Sequence, residues 1–196
     1  MNFERMTSKE NRVSITRGAD FTTREAEDGR KTIAGYFAVF GPEYELGDGD
    51  RERIDPHAFD NWRNTDVRAL TNHDDTLVLG RTTAGTARLR VDERGLWGEI
   101  DINEEDRRAL DTYARVKRGD VSQCSFGFNI MGERWEEREN GGILWTITDI
   151  DLYEISVCTF PAYRETVVNA RAADARAIHK NKIEAWKEKA LRRLRG

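Results

Sequence analysis

The feature that most constrains this chain is the shortness of its apolar runs. Between Val13 and Thr159 they are brief, rich in β-branched and aromatic residues, and stop at Gly, Pro, Asn or Asp. Such runs form strands, and most stops leave no room for a helix of ordinary length. Lys31–Phe40 (KTIAGYFAVF) ends at Gly41-Pro42. Residues 43–53 (EYELGDGDRER) read as a polar loop, and Pro56 opens a short helix, PHAFDNW, where its missing N–H costs nothing. Val67–Asn72 is a strand running into His73. Leu77–Thr82, Thr86–Val91 and Leu96–Ile102 follow, with DERG at 92–95 as a turn. Strands are also expected near 121–131, 132–138 and 143–159, with Asn140-Gly141-Gly142 as a turn.

One internal helix is clear, Asn103–Arg118. Asn103 caps it, acids at 104–106 sit near the positive end of its dipole, and Gly119 stops it. Leu110, Tyr113, Ala114 and Lys117 share a face. Six to eight short strands with few helices predict a mainly β fold of the α+β class, an antiparallel barrel or sandwich.

The length, 196 residues, suits one domain with a real core. Residues 1–12 read as a loose polar leader, 13–168 as the folded body, and 169–196 as a basic amphipathic helix. The net charge of −4 is divided unevenly. Residues 171–196 carry nine Lys or Arg against three acids, a charge of +6, which leaves −10 on the body. A nucleic-acid clamp needs a basic face, so the body argues against nucleic acid as a partner. The tail suits an acidic partner surface, or it is a solvated helix packing Trp186 and Leu191 on the body. Ile183, Trp186, Ala190, Leu191 and Leu194 share its apolar face. No apolar run reaches the roughly 18 residues of a membrane span, and MNFERMTSKE lacks a signal peptide's apolar stretch. Cys124 and Cys158 make no disulfide framework, which fits a reducing, intracellular setting.

Candidate chemistry is sparse. The histidines are at 57, 73 and 179, without metal-ligand spacing, and no phosphate loop or dinucleotide fingerprint occurs, so no metal or cofactor is expected. His73 ends a strand in LTNHDD and is either a general base or a surface turn histidine. Ser125, in QCSFGF, is either a nucleophile served by a base or a strand serine with a satisfied hydroxyl. Glu154, in IDLYEISV, shares a face with Leu152, Ser156 and Cys158; it is either solvated or orients a histidine. Asp74 and Asp75 are rivals for that role. Cys124 is a competing nucleophile, but adjacent strand residues face opposite ways, so Cys124 is core if Ser125 faces a site.

Several boxes then fall in order. Ile54-Asp55-Pro56-His57-Ala58-Phe59 resembles the I-x-P-G-A-F box of the phage prohead (capsid maturation) serine protease family, with His57 in place of glycine. Asn72-His73-Asp74 resembles its N-H-D box, Gly80-Arg81 and Gly95-Leu96 its next two signals, and Ser125-Phe126-Gly127-Phe128 its S-x-G-F box. Glu154-Ile155-Ser156-Val157 with Pro161-Ala162 is similar to E-[VI]-S-x-V-x-x-P-A. The matches cover roughly residues 13–168. The resemblance implies an antiparallel β-barrel of the herpesvirus-protease type ringed by helices. It also implies a serine endopeptidase with Ser125 as nucleophile, His73 as base and Glu154 as third member. The implied substrates are the scaffolding protein or scaffolding segment of the major capsid protein, and the chain itself, inside the procapsid in the host cytoplasm. A different class, a non-catalytic assembly factor on the same fold, predicts no dependence on Ser125 or His73.

Overall fold

The computed structural model describes residues 11–16, 21–27, 29–47, 49–61, 66–139, 141–160 and 165–195. Strands β1 (Asn11–Thr16), β2 (Thr22–Glu25), β3 (Lys31–Val39), β4 (Tyr44–Gly47) and β5 (Asp50–Ile54) come first. Then come β6 (Arg68–Thr71), β7 (Asp74–Arg81), β8 (Ala87–Val91) and β9 (Gly95–Asp101). Helix α1 (Arg107–Arg118) precedes the long strands β10 (Gln123–Glu137) and β11 (Ile143–Cys158), and helix α2 (Glu165–Arg195) ends the chain. The expectation of a mainly β chain with few helices holds.

The expected antiparallel barrel is not what the strand pairing shows. Among the described residues the strands form two sheets: a four-stranded one in the order β2-β3-β9-β8, and a seven-stranded one running β1-β10-β11-β5-β4, with β6 on β11 and β7 on β6. The reason lies in β11, whose 16 residues outrun the short strands β5 and β6 beside it. β5 pairs with residues 144–147 and β6 with residues 154–157, both in parallel. Parallel neighbours placed at two heights on one long strand do not form a simple antiparallel ring.

The sheets enclose one core. Ile33, Phe37, Leu96 and Ile100 from the smaller sheet join Phe126, Phe128, Leu152 and Ile155 from the larger, all essentially closed to water. Gly98 permits the close approach: a Cβ there would stand 2.7 Å from the Phe37 ring and 3.1 Å from Ile155 Cδ1. Helix α1 closes the core with Ala109, Tyr113 and Val116. Burying a large apolar side chain contributes about 1.5–3 kcal/mol.

Several elements differ from the sequence reading. Residues 43–53 hold a hairpin, β4–β5, because Asp50 and Glu52 are buried on the inward face of β5 and disguise its alternation. Pro56–Asn61 forms overlapping turns rather than a helix, through Ala58 N–H to Asp55 O and Asp60 N–H to His57 O. Helix α1 begins one turn later than expected. Asp106 caps it by accepting from Arg108 N–H, while Asn103 accepts from Glu105 N–H in the preceding turn. The buried face is accordingly Ala109, Thr112, Tyr113 and Val116, rotated by one residue from the expected stripe. Residues expected as two strands, 121–131 and 132–138, form one strand with bulges around Gly132. Asn140 of the expected turn, and Pro161-Ala162, lie outside the described residues.

Helix α2 packs on the body through its middle, where Lys182 also bonds Glu137 of β10. Ala175 and Ile178 contact the satellite cluster of Leu46, Ile143, Trp145 and Trp135. Trp186 is 69% exposed and Leu191 52%, so the expectation that they pack on the body fails. The side chains of Ala190 and Leu194 lie outside the described residues.

Candidate active site

Three elements meet at the C-terminal end of β11. In the β10–β11 ladder Ser125 stands opposite Ser156 and Gly127 opposite Glu154. Alternation puts Ser125 and Gly127 on the face that carries Glu154, Ser156 and Cys158. β6 brings the third element, pairing Thr71 with Val157, and His73 follows two residues later.

The chain then makes a turn that only specific side chains tolerate. Asn72 and His73 have φ of 54° and 60°, left-handed backbone that non-glycine residues rarely adopt. Three bonds hold the turn to β11. Asn72 N–H donates to Val157 O at 2.9 Å, His73 N–H to Ser156 Oγ at 3.2 Å, and Thr159 N–H to Asn72 Oδ1 at 2.8 Å. They offset the strain, about 1 kcal/mol or more per residue.

The turn lays the imidazole against a carboxylate. His73 Nδ1 lies 2.6 Å from Glu154 Oε1, with the two side chains 10% and 7% exposed. An ionised carboxylate only accepts, so a neutral imidazole in this position has its proton on Nδ1 and its lone pair on Nε2. The other carboxylate oxygen, Oε2, accepts from Ser156 Oγ–H at 2.6 Å. Gly127 makes the space: a Cβ there would stand 2.5 Å from Glu154 Oε1 and 2.6 Å from Tyr153 Cε2. Cys158 Sγ lies 3.7 Å from His73 Nε2. Burial pushes the Cys158 thiol up to about 12, with the Glu154 charge adding to the effect, so it stays protonated near neutrality.

The residues named from sequence therefore fall as follows. His73 and Glu154 are bonded, and Ser125 shares their face of the sheet, fully buried. Asp74 and Asp75 are exposed, and the Asp74 carboxylate accepts from Thr76 instead, which holds it below the usual range. Cys124 is core, its Sγ 3.0 Å from Tyr36 O. His57 is 82% exposed and 3.3 Å from Asp60. Sequence reasoning gave Ser156 no role, although its place two residues after Glu154 on a strand signalled a shared face.

Beside the turn is a cavity of about 250 Å³ lined by Thr71, Asn72, Leu77 and Leu79 and by Arg108 and Thr112 of α1. Among the described residues no group of three or more His, Cys, Asp or Glu side chains is placed to hold a metal ion. Among them, too, no helix is long and apolar enough to cross a membrane.

Comparison with known proteins agrees with the boxes. Residues 19–181 match the family model described as the caudovirus prohead serine protease. The chain is 31% identical to the prohead protease of Enterobacteria phage HK97 over 148 residues, 73% of this chain and 61% of that protein. It is 26% identical to the prohead protease of Escherichia phage T5 over 119 residues, 61% of this chain and 50% of that protein. The chain thus spans between half and about three-fifths of the length of these relatives. No solved structure gives a significant match. On the family match over most of its length, the chain belongs to the caudovirus prohead serine protease family.

Proposed function

We propose that this chain is a serine endopeptidase of phage capsid maturation, with Ser125 as nucleophile, His73 as general base and Glu154 as the group that orients the base. The observation that carries the reading is the 2.6 Å His73–Glu154 contact on the sheet face that also holds Ser125. Glu154 fixes the tautomer in which Nε2 can take a proton, and stabilises the imidazolium that forms. Nε2 takes the Ser125 hydroxyl proton as Oγ attacks the scissile carbonyl, and returns it to the leaving amine. Water activated by the same nitrogen then releases the acyl group. Donors to the oxyanion are each worth roughly a hundredfold or more in rate in such a reaction. Ser125 has no exposure in this structure, so acylation includes a step that opens its face to the peptide.

The substrates in this reading are the scaffolding protein or the scaffolding segment of the major capsid protein, and the chain itself. The site of action is the assembling procapsid in the host cytoplasm, with a second copy of the chain as a further candidate partner. The relatives' shared name, prohead protease, supports this assignment. The test is co-expression with the major capsid protein of the same phage, followed by mass measurement of the products. Ser125→Ala is expected to leave the capsid protein untrimmed. Normal trimming by that variant overturns the reading and leaves an assembly factor without peptidase activity.

A further inference from the structure

We propose that Ser156 is a positioning residue for the peptidase reaction: its hydroxyl locks the Glu154 carboxylate and the His73 backbone into one unit. The inference rests on the reading of His73 and Glu154 given above. Three observations carry it.

The first is connectivity. Ser156 Oγ donates to Glu154 Oε2 at 2.6 Å and accepts from His73 N–H at 3.2 Å. A hydroxyl has one proton and two lone pairs, so it serves both partners at once. The carboxylate is held at both ends, Oε1 by the imidazole and Oε2 by Ser156, which stops it turning about its last side-chain bond.

The second is burial. Ser156 is 0% exposed and Glu154 5%, so water does not replace the hydroxyl if it is lost. A buried polar group left without its partner costs about 1–3 kcal/mol, and here two groups lose theirs. Each escapes by moving: Glu154 by rotating, and the His73 turn by relaxing its left-handed backbone.

The third is placement. Ser156 is two residues from Glu154 on one strand and directly opposite Ser125 in the ladder. It lies between the carboxylate and the nucleophile's strand without belonging to either. Its hydroxyl is spent on Glu154 and the His73 amide, so it is not a second nucleophile.

Three variants test this: Ser156→Ala, Ser156→Thr and, as a control, Ser125→Ala. Trimming of the capsid protein is followed as kcat and KM separately. The His73 Nδ1–H proton is followed by low-field NMR in the Ser125→Ala background, where self-cleavage does not interfere. Ser156→Ala is expected to lower kcat roughly 10- to 100-fold, the usual cost of losing a group that orients an active-site ligand, with KM nearly unchanged. It is also expected to broaden or abolish the low-field Nδ1–H signal. Ser156→Thr keeps the hydroxyl and is expected to restore both. An alanine variant with wild-type kcat overturns the proposal. So does a folded threonine variant that stays as slow as alanine and lacks the signal, since that behaviour belongs to packing alone. Should the alanine variant fail to fold, the threonine variant decides by the same criteria. Wild-type trimming by Ser125→Ala is a different failure, of the nucleophile assignment.

Discussion

Strand β11 meets a parallel neighbour twice, and the two meetings differ in chemistry although their geometry is nearly the same. At its start, β5 pairs residues 51–54 with 144–147, and the next residue, Asp55, donates its N–H to Ile147 O at 2.9 Å. At its end, β6 pairs residues 68–71 with 154–157, and the next residue, Asn72, donates to Val157 O at 2.9 Å. Each strand is followed within a few residues by a histidine in a turn. After β5, Pro56 fixes a backbone of ordinary hand, and His57 ends up 82% exposed beside Asp60. After β6, Asn72 and His73 turn left-handed, and the imidazole is 10% exposed and bonded to Glu154. The β11 face beneath differs too. At the start, the positions equivalent to Glu154 and Ser156 are Leu144 and Thr146, and Thr146 Oγ1 accepts from Arg53 Nε at 3.0 Å, whereas Glu154 and Ser156 are buried and bonded to the turn. Both parallel strand ends thus place a histidine beside β11, and the sign of φ and the chemistry of the facing strand decide whether it meets a buried carboxylate.

The largest test of that contrast removes each histidine. His73→Ala is expected to lower kcat by roughly 10⁴-fold or more, as loss of a catalytic base does, while His57→Ala changes it by less than about twofold, in a capsid-trimming assay. Equal effects from the two would erase the distinction. Glu154→Gln keeps the shape but not the charge, and lets Nδ1 serve as an acceptor. A loss of roughly 10³- to 10⁴-fold in single-turnover rate is expected, as for a triad carboxylate turned to its amide.

Glycines probe the same two ends more gently. At the site, a methyl on Gly127 meets Glu154 Oε1 at 2.5 Å; at the far end, one on Gly132 meets Thr148 Oγ1 at 3.0 Å. Gly127→Ala should therefore destabilise the chain by about 1–3 kcal/mol in urea unfolding and slow trimming. Gly132→Ala should cost less and leave the trimming rate of the folded protein unchanged. A reversed order would mean that the carboxylate is not tightly seated.

The smallest effect belongs to Cys158. Its thiol ionises more readily in the unfolded chain than in the fold, where burial pushes it up to about 12. Unfolded molecules therefore hold fewer protons above the ordinary thiol value, and native stability declines as pH rises from about 9 toward 12. Cys158→Ala should flatten that decline in denaturation midpoints measured across this range. It should also retain most of the trimming activity, and native Cys158 should resist iodoacetamide near neutrality. Loss of activity in Cys158→Ala with survival of activity in Ser125→Ala would move the nucleophile from oxygen to sulfur.

The strand-rich class and the single internal helix were legible in the sequence, and of the candidates His73, Ser125 and Glu154 the structure brings His73 and Glu154 into contact. Turn residues and β-branched runs are local signals, and the boxes preserve residue order. Less legible was anything where a charged residue is buried. Asp50 and Glu52 hid a strand because hydrophobic alternation assumes that acids face water, and Glu154 was ambiguous for the same reason. The face of α1 was misread by one position because Asn103 and Asp106 are both good caps, and only packing selects the second.

By itself, then, the sequence determined the candidate residues and roughly which strands carry them, because propensity, turn preference and alternation act over a few residues. Only the tertiary structure decided which of those residues meet. The separation of 81 positions from His73 to Glu154 is closed by β6 joining β11 in parallel, a pairing without a local signature. The strained Asn72–His73 turn exists because β11 binds it from outside. The same pairing separates His73 from His57, which the sequence presents as equals in residue type.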